Sequence, residues 1–125
     1  QLVFNYLVGN GDAHAKNFSV LQVKPGLWDL APAYDLLCTS YYEDDSMALP
    51  LDGLQSSWTR PQLIAFAEAL TLPKRAAEAV IVSLCSKLSH LPESIVSGAL
   101  PFHRSLNYKI AQKLKKRNRS LSSDD

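Results

Sequence analysis

At 125 residues with 46% apolar side chains, the chain has the size and composition of one folded domain around a single core. Thirteen basic residues against twelve acidic ones leave a net charge of +1, so the chain as a whole exerts no electrostatic pull toward nucleic acid or a membrane surface. Its two cysteines, Cys38 and Cys85, stand far apart in no metal-type spacing, which excludes a disulfide-dense secreted scaffold and fits a reducing cytoplasm.

Leu2, Val3, Phe4, Tyr6, Leu7 and Val8 predict a buried helix, stopped by Gly9, Asn10 and Gly11. The run is too short to cross a bilayer and lacks the basic start and cleavage site of a signal peptide. It opens inside a hydrophobic segment without an initiator Met, so an upstream partner lobe is expected. A polar loop follows from Gly11 to Asn17. Phe18, Val20, Leu21 and Val23, a Lys24-Pro25-Gly26 turn, and Leu27, Trp28 and Leu30 predict a β-hairpin over 18–30. The helix at 2–8 and this hairpin are expected to pack against the missing lobe. Pro32 ends the second strand, Asp35 follows it closely, and Thr39 to Ser46 reads as a mobile acidic loop.

From Thr59 the period becomes helical, with Thr59 and Gln62 spaced as a capping box and Pro61 near the first turn. Leu63, Phe66, Ala67 and Leu70 form its apolar stripe. Pro73 opens a second helix carrying Ala77, Val80, Ile81, Leu84, Cys85 and Leu88, closed by Pro92. A short helix from Glu93 to Leu100 and a last one from Phe102 to Arg117 complete the pattern. Lys113, Lys115, Lys116, Arg117 and Arg119 read as a solvated helix end, running into a flexible tail over 120–125. Trp28, Trp58, Tyr6 and Tyr108 are read as core or core-edge aromatics, and His90 and His103 as single packed or surface residues.

The chemistry concentrates in Gly11-Asp12-Ala13-His14-Ala15-Lys16-Asn17, where a carboxylate, an imidazole, an ammonium and a carboxamide share one loop. Phosphoryl transfer needs a carboxylate to orient and deprotonate the attacking hydroxyl, and oxygen ligands to hold Mg²⁺ against nucleotide phosphates. A metal-binding Asn five residues after a catalytic Asp, then a second Asp beyond a hairpin, is the protein-kinase arrangement. Asp12, Asn17 and Asp35 have those separations. A D-x-x-x-x-N match alone is common by chance, with turn capping as the plain alternative.

At these residues the chain resembles a family. The string from Gly11 to Val20, with Leu30-Ala31-Pro32-Ala33-Tyr34-Asp35-Leu36, resembles the catalytic and metal-binding motifs of the HipA-like serine/threonine kinases, toxins of bacterial type II toxin-antitoxin modules. The resemblance is specific over the first third of the chain. It implies an α+β, mainly helical fold: the C-terminal lobe of a protein-kinase-like architecture over 1–119, with catalytic loop 9–17, hairpin 18–30, metal motif 32–36 and helical part 59–118. By the same resemblance Asp12 is the catalytic base, Asn17 and Asp35 bind Mg²⁺ and ATP phosphates, His14 supports the loop, and Lys16 lies near the transferring phosphate or the substrate.

The resemblance further implies aminoacyl-tRNA synthetases as protein substrates and a DNA-binding antitoxin partner. The phosphate-covering loop, the pairing Lys and the family's autophosphorylated serine have no match here, so these residues alone are expected to be inactive. Two other readings stand beside it. Lipid and small-molecule kinases use a similar loop, although Ala13, Lys16 and Pro-x-Tyr-Asp favour the toxin family, and a non-catalytic partner-binding module would keep only the helices.

Overall fold

The computed structural model describes residues 1–123. Helix α1 (Leu2–Val8) is followed by a 3₁₀ turn at Ala15–Asn17, strands β1 (Val20–Lys24) and β2 (Leu27–Leu30), and a second 3₁₀ turn at Thr39–Tyr42. Helices α2 (Arg60–Ala69), α3 (Lys74–Lys87), α4 (Leu91–Ser94) and α5 (Arg104–Ser122) make up the rest, with a π-helical turn at Ile95–Ala99 between the last two. The domain is mainly helical with one antiparallel hairpin.

Local sequence accounts for the ends of these elements. Gly9 closes α1 in the left-handed region at φ 74°, and the Asn10 N–H reaches back to the Asn5 carbonyl at 2.8 Å. Gly26, at φ 77°, makes the hairpin turn after Pro25, pairing Val20 with Leu30 and Gln22 with Trp28 before a bulge. The capping box of α2 forms, with the Thr59 N–H donating to Gln62 Oε1 at 3.0 Å.

The main core joins Tyr6 and Leu7 of α1 to Met47, Leu51, Trp58, Leu63, Ile81, Cys85 and Leu121. Tyr6 stacks on Trp58 with ring centroids 5.0 Å apart and donates from its hydroxyl to the Trp58 carbonyl at 3.1 Å. A smaller cluster of Ile95, Ile110 and Leu114 seats α5 on the α4 region. Residues 74–99 are long and apolar enough in composition to cross a membrane, but the helix breaks at Leu88 and buries Ile81 and Cys85 in the core.

Several expectations are corrected. Helix α5 continues to Ser122 and Leu121 is fully buried, so the flexible tail does not begin at 120; residues 124 and 125 lie outside the described residues. Arg117, read as part of a solvated helix end, is buried because its guanidinium satisfies backbone carbonyls beneath α5. Trp28 and Tyr108 are exposed, since neither strand packs on a helix and Tyr108 lies on the outer face of α5. Pro92 starts α4 rather than closing α3, and left-handed Gly98 interrupts the helix expected over 93–100. The segment read as a mobile loop at 39–46 is anchored at both ends, through Thr39 and Asp45.

Candidate functional site

The polar loop leaves α1 through a hydrogen-bonded hub at Asn10. This side chain is fully buried, and its Nδ2 donates to Asn5 Oδ1 and to the Asp35 carbonyl, each at 3.1 Å. Its Oδ1 accepts from the Asp12 N–H at 3.2 Å. One carboxamide thus ties α1, the loop at 11–17 and the segment at 32–36 together. The sequence pattern marks Asn10 only as a helix stop; the signal for its role is a polar residue placed directly before the Gly-Asp pair.

Asn17 and Asp35, separated by the hairpin, meet in space. Asn17 Nδ2 donates to Asp35 Oδ2 at 3.1 Å. Asn17 is buried, and its carbonyl accepts from Gln1 Nε2 at 3.1 Å. Asp35 has φ 55°, a left-handed conformation uncommon outside glycine, and the bond from Asn10 to its carbonyl holds it there. Tyr34 Oη donates to the Lys16 carbonyl at 2.5 Å, so the metal motif is also latched to the loop.

A carboxylate and a carboxamide from different elements are hard oxygen donors, and Mg²⁺ commonly takes one or two such protein groups with water and phosphate oxygens completing its shell. Turning the Asn17 amide over presents Oδ1 in place of Nδ2. The pair therefore fits Mg²⁺. Among the described residues no three His, Cys, Asp or Glu side chains gather as an all-protein metal cage.

Asp12 is exposed, and its carboxylate has no hydrogen bond or ion pair among the described residues. Its backbone is fixed on both sides, since the Asp12 carbonyl also accepts from the His14 N–H at 2.8 Å. Lys16 is exposed too, with its ammonium free of ion pairs among the described residues. His14 Nδ1 is buried without a hydrogen-bond partner among the described residues.

Gly11 sits where no side chain fits. A Cβ there would come within 2.2 Å of the Ser46 carbonyl and 2.6 Å of Thr39 Oγ1. In its place the Gly11 N–H donates to Thr39 Oγ1 at 2.9 Å, its carbonyl accepts from the Ala48 N–H at 2.9 Å, and the Thr39 N–H donates to the Gly9 carbonyl at 2.9 Å. Behind this support, Asp45 accepts from Ser40 Oγ at 2.7 Å and pairs closely with Lys113 of α5. Burial pushes the Asp45 carboxyl up, but the bonds from Lys113 and Ser40 and the charges of Lys113 and Arg117 outweigh it and hold the group below its usual range.

Comparison with known proteins adds an independent line. The family model of the HipA-like C-terminal domain matches residues 1–91. The serine/threonine-protein kinase toxin HipA of Shewanella oneidensis is 34% identical over 102 residues, covering 78% of this chain and 23% of the toxin. The protein named "Putative kinase Y4mE" of Sinorhizobium fredii is 55% identical over 42 residues, covering 34% of this chain and 10% of its own length. A solved complex of HipA, HipB and operator DNA from Shewanella oneidensis MR-1 contains a chain that superposes with a TM-score of 0.72 at 28% identity, covering 97% of this chain and 30% of that one. The chain thus spans less than a third of the length of each of these relatives.

Proposed function

The chain belongs to the HipA-like C-terminal domain family, and from that premise we propose that it supplies the catalytic-base and metal-binding half of a serine/threonine protein kinase. The observation that carries the reading is the meeting of Asn17 with Asp35 across the hairpin, beside a loop whose Asp12 carboxylate is exposed and unpaired among the described residues. Asp12 orients the substrate hydroxyl and takes its proton as the oxygen attacks the γ-phosphate of ATP. Asp35 and Asn17 hold Mg²⁺, which when bound offsets the charge on the phosphate oxygens. Lys16 faces solvent where a phosphate or substrate can approach, and His14 steadies the loop between Asp12 and Lys16.

The resemblance carries the finer reading of an aminoacyl-tRNA synthetase as substrate and a DNA-binding antitoxin as partner, and the cysteine usage points to the cytoplasm as location. The relative solved with HipB and operator DNA supports the antitoxin partner. Asp12, Lys16 and Asp35 all lie on an open face, whereas phosphoryl transfer works best with water excluded. An upstream lobe that covers this face and packs on the apolar hairpin completes the enzyme, and these 125 residues alone are inactive.

Variants of the protein at its natural length test the assignment. Asp12→Asn lowers phosphorylation by about 10²–10⁴-fold while Mg²⁺-ATP still binds. Asp35→Asn weakens Mg²⁺-dependent nucleotide binding as well as turnover, Asn17→Ala does so more mildly, and the 125 residues alone bind ATP weakly in the same calorimetric titration. Loss of nucleotide affinity in Asp12→Asn with loss of turnover only in Asp35→Asn reverses the two roles, and full activity in both overturns the reading.

A further inference from the structure

Beside α5, a cavity of about 240 Å³ lined by none of residues 11–17 carries an unusual charge balance. Lys113, Lys116 and Arg117 line it from one face of the helix, and Asp45 is the one carboxylate lining it among the described residues. Among those residues three positive charges stand against one negative, a surplus of two. Like charges three and four residues apart on a helix repel, so this stack costs stability unless an anion offsets it.

The cations are not spent on one another's partners. Lys113 pairs with Asp45, and Lys116 is exposed with no ion pair among the described residues. Arg117 is held rigidly but not neutralised: its guanidinium donates to the carbonyls of Tyr6 at 2.8 Å and Asp45 at 2.7 Å and lies 5.0 Å from the Tyr6 ring centroid. Carbonyl acceptors fix its direction and leave its charge in place. Ser56 and Ser57 also line the cavity, as does Ser120 on the same face of α5, whose hydroxyl donates to the Arg117 carbonyl at 2.9 Å. Ser57 adopts φ 59°, a left-handed conformation that serine enters only under local constraint.

We propose that this cavity is a binding site for a phosphate-class dianion, separate from the catalytic loop. The surplus of two positive charges matches a phosphate monoester, and ammonium, guanidinium and hydroxyl groups are the donors that such oxygens accept. Its volume falls below the roughly 300–1,000 Å³ of sites for drug-sized ligands, which suits a phosphate with a small substituent. The Asp45 carboxylate faces the same space and repels an anion, so Lys113 must stay paired to it and Lys116 makes the decisive contact.

The test uses the protein at natural length with Asp35→Asn introduced, no Mg²⁺, and ionic strength held constant with chloride, so that Mg²⁺-mediated phosphate binding at the catalytic centre is removed. Titration with inorganic phosphate raises the melting temperature in a saturable way, and Lys116→Gln on the same background weakens the apparent affinity about tenfold. Lys116 is exposed, so its removal leaves the fold intact. Acetylated phosphoserine amide binding more tightly than inorganic phosphate assigns the pocket to a phosphorylated side chain, and the opposite order assigns it to the free ion. The proposal is overturned if phosphate gives no saturable shift, or if Lys116→Gln titrates like its parent. Because the background already lacks Asp35, this outcome is independent of the kinase assignment.

Discussion

The hairpin over 18–30 and the segment over 39–48 both lead away from the catalytic loop, and they are held in opposite ways. Val20, Leu21, Val23, Leu27 and Trp28 are at least half exposed, and the two strands touch each other but no helix. The second segment carries Glu43, Asp44 and Asp45, yet it buries Ser40 and Met47 and grips Gly9 and Gly11 through Thr39 and Ala48. Apolar composition did not bury the first, because no second surface covers it. Polar composition did not free the second, because nearly every polar group in it found a partner. Hydrogen bonding to the catalytic loop, more than hydropathy, decides which of the two flanks fixes the site.

The sharpest way to break this contrast is Gly11→Ala in the natural-length protein. The added methyl meets a carbonyl at 2.2 Å, so the loop must shift against segment 39–48. Phosphorylation falls by about 10²-fold or more, since displacement of a catalytic group by about 1 Å costs that much. Turnover equal to wild type would show that the segment does not position the loop.

A pH series on Asp45→Asn probes the same anchor with a smaller effect. The folded carboxyl titrates below its unfolded value, so its stabilisation is fully present above the unfolded pKa and is lost as pH falls through the folded one. Wild type therefore melts at a higher temperature than Asp45→Asn near neutrality, and the two curves converge in acid below the usual aspartate range. A gap that stays constant down to that acid limit would remove Asp45 from the anchor.

The smallest effect belongs to the hairpin. Trp28 is 60% exposed, and Trp28→Ala shifts the stability of the 125-residue chain by less than about 0.5 kcal/mol in urea unfolding. A loss of several kcal/mol would mean that the hairpin is covered, by a second copy for example, and would erase the contrast between the flanks.

Much of the architecture was legible because its causes are local. The capping pair Thr59 and Gln62, the Pro25-Gly26 turn and the stop at Gly9 each act within a few residues, and each formed as read. The candidate site was legible in its residue types and spacings, and the fold brings Asn17 and Asp35 together across the hairpin. Its supports were not legible. Asn10, Thr39 and Tyr34 serve the site through bonds to partners as distant as Asp35, Gly11 and Lys16, and nothing in their neighbours announces those bonds.

By itself, then, the sequence determined α1, the hairpin, α2 and the candidate polar residues of the loop, because propensity, capping and turn geometry are settled within one or two turns of chain. Tertiary structure alone decided what is buried toward the C-terminal end of the basic stripe on α5. Leu121 enters the core and Arg117 reaches the carbonyls of Tyr6 and Asp45, more than seventy residues away in sequence. A charge such as Arg117 is buried only where acceptors from separate segments converge on it, and that convergence exists only once α1, segment 39–48 and α5 have packed together.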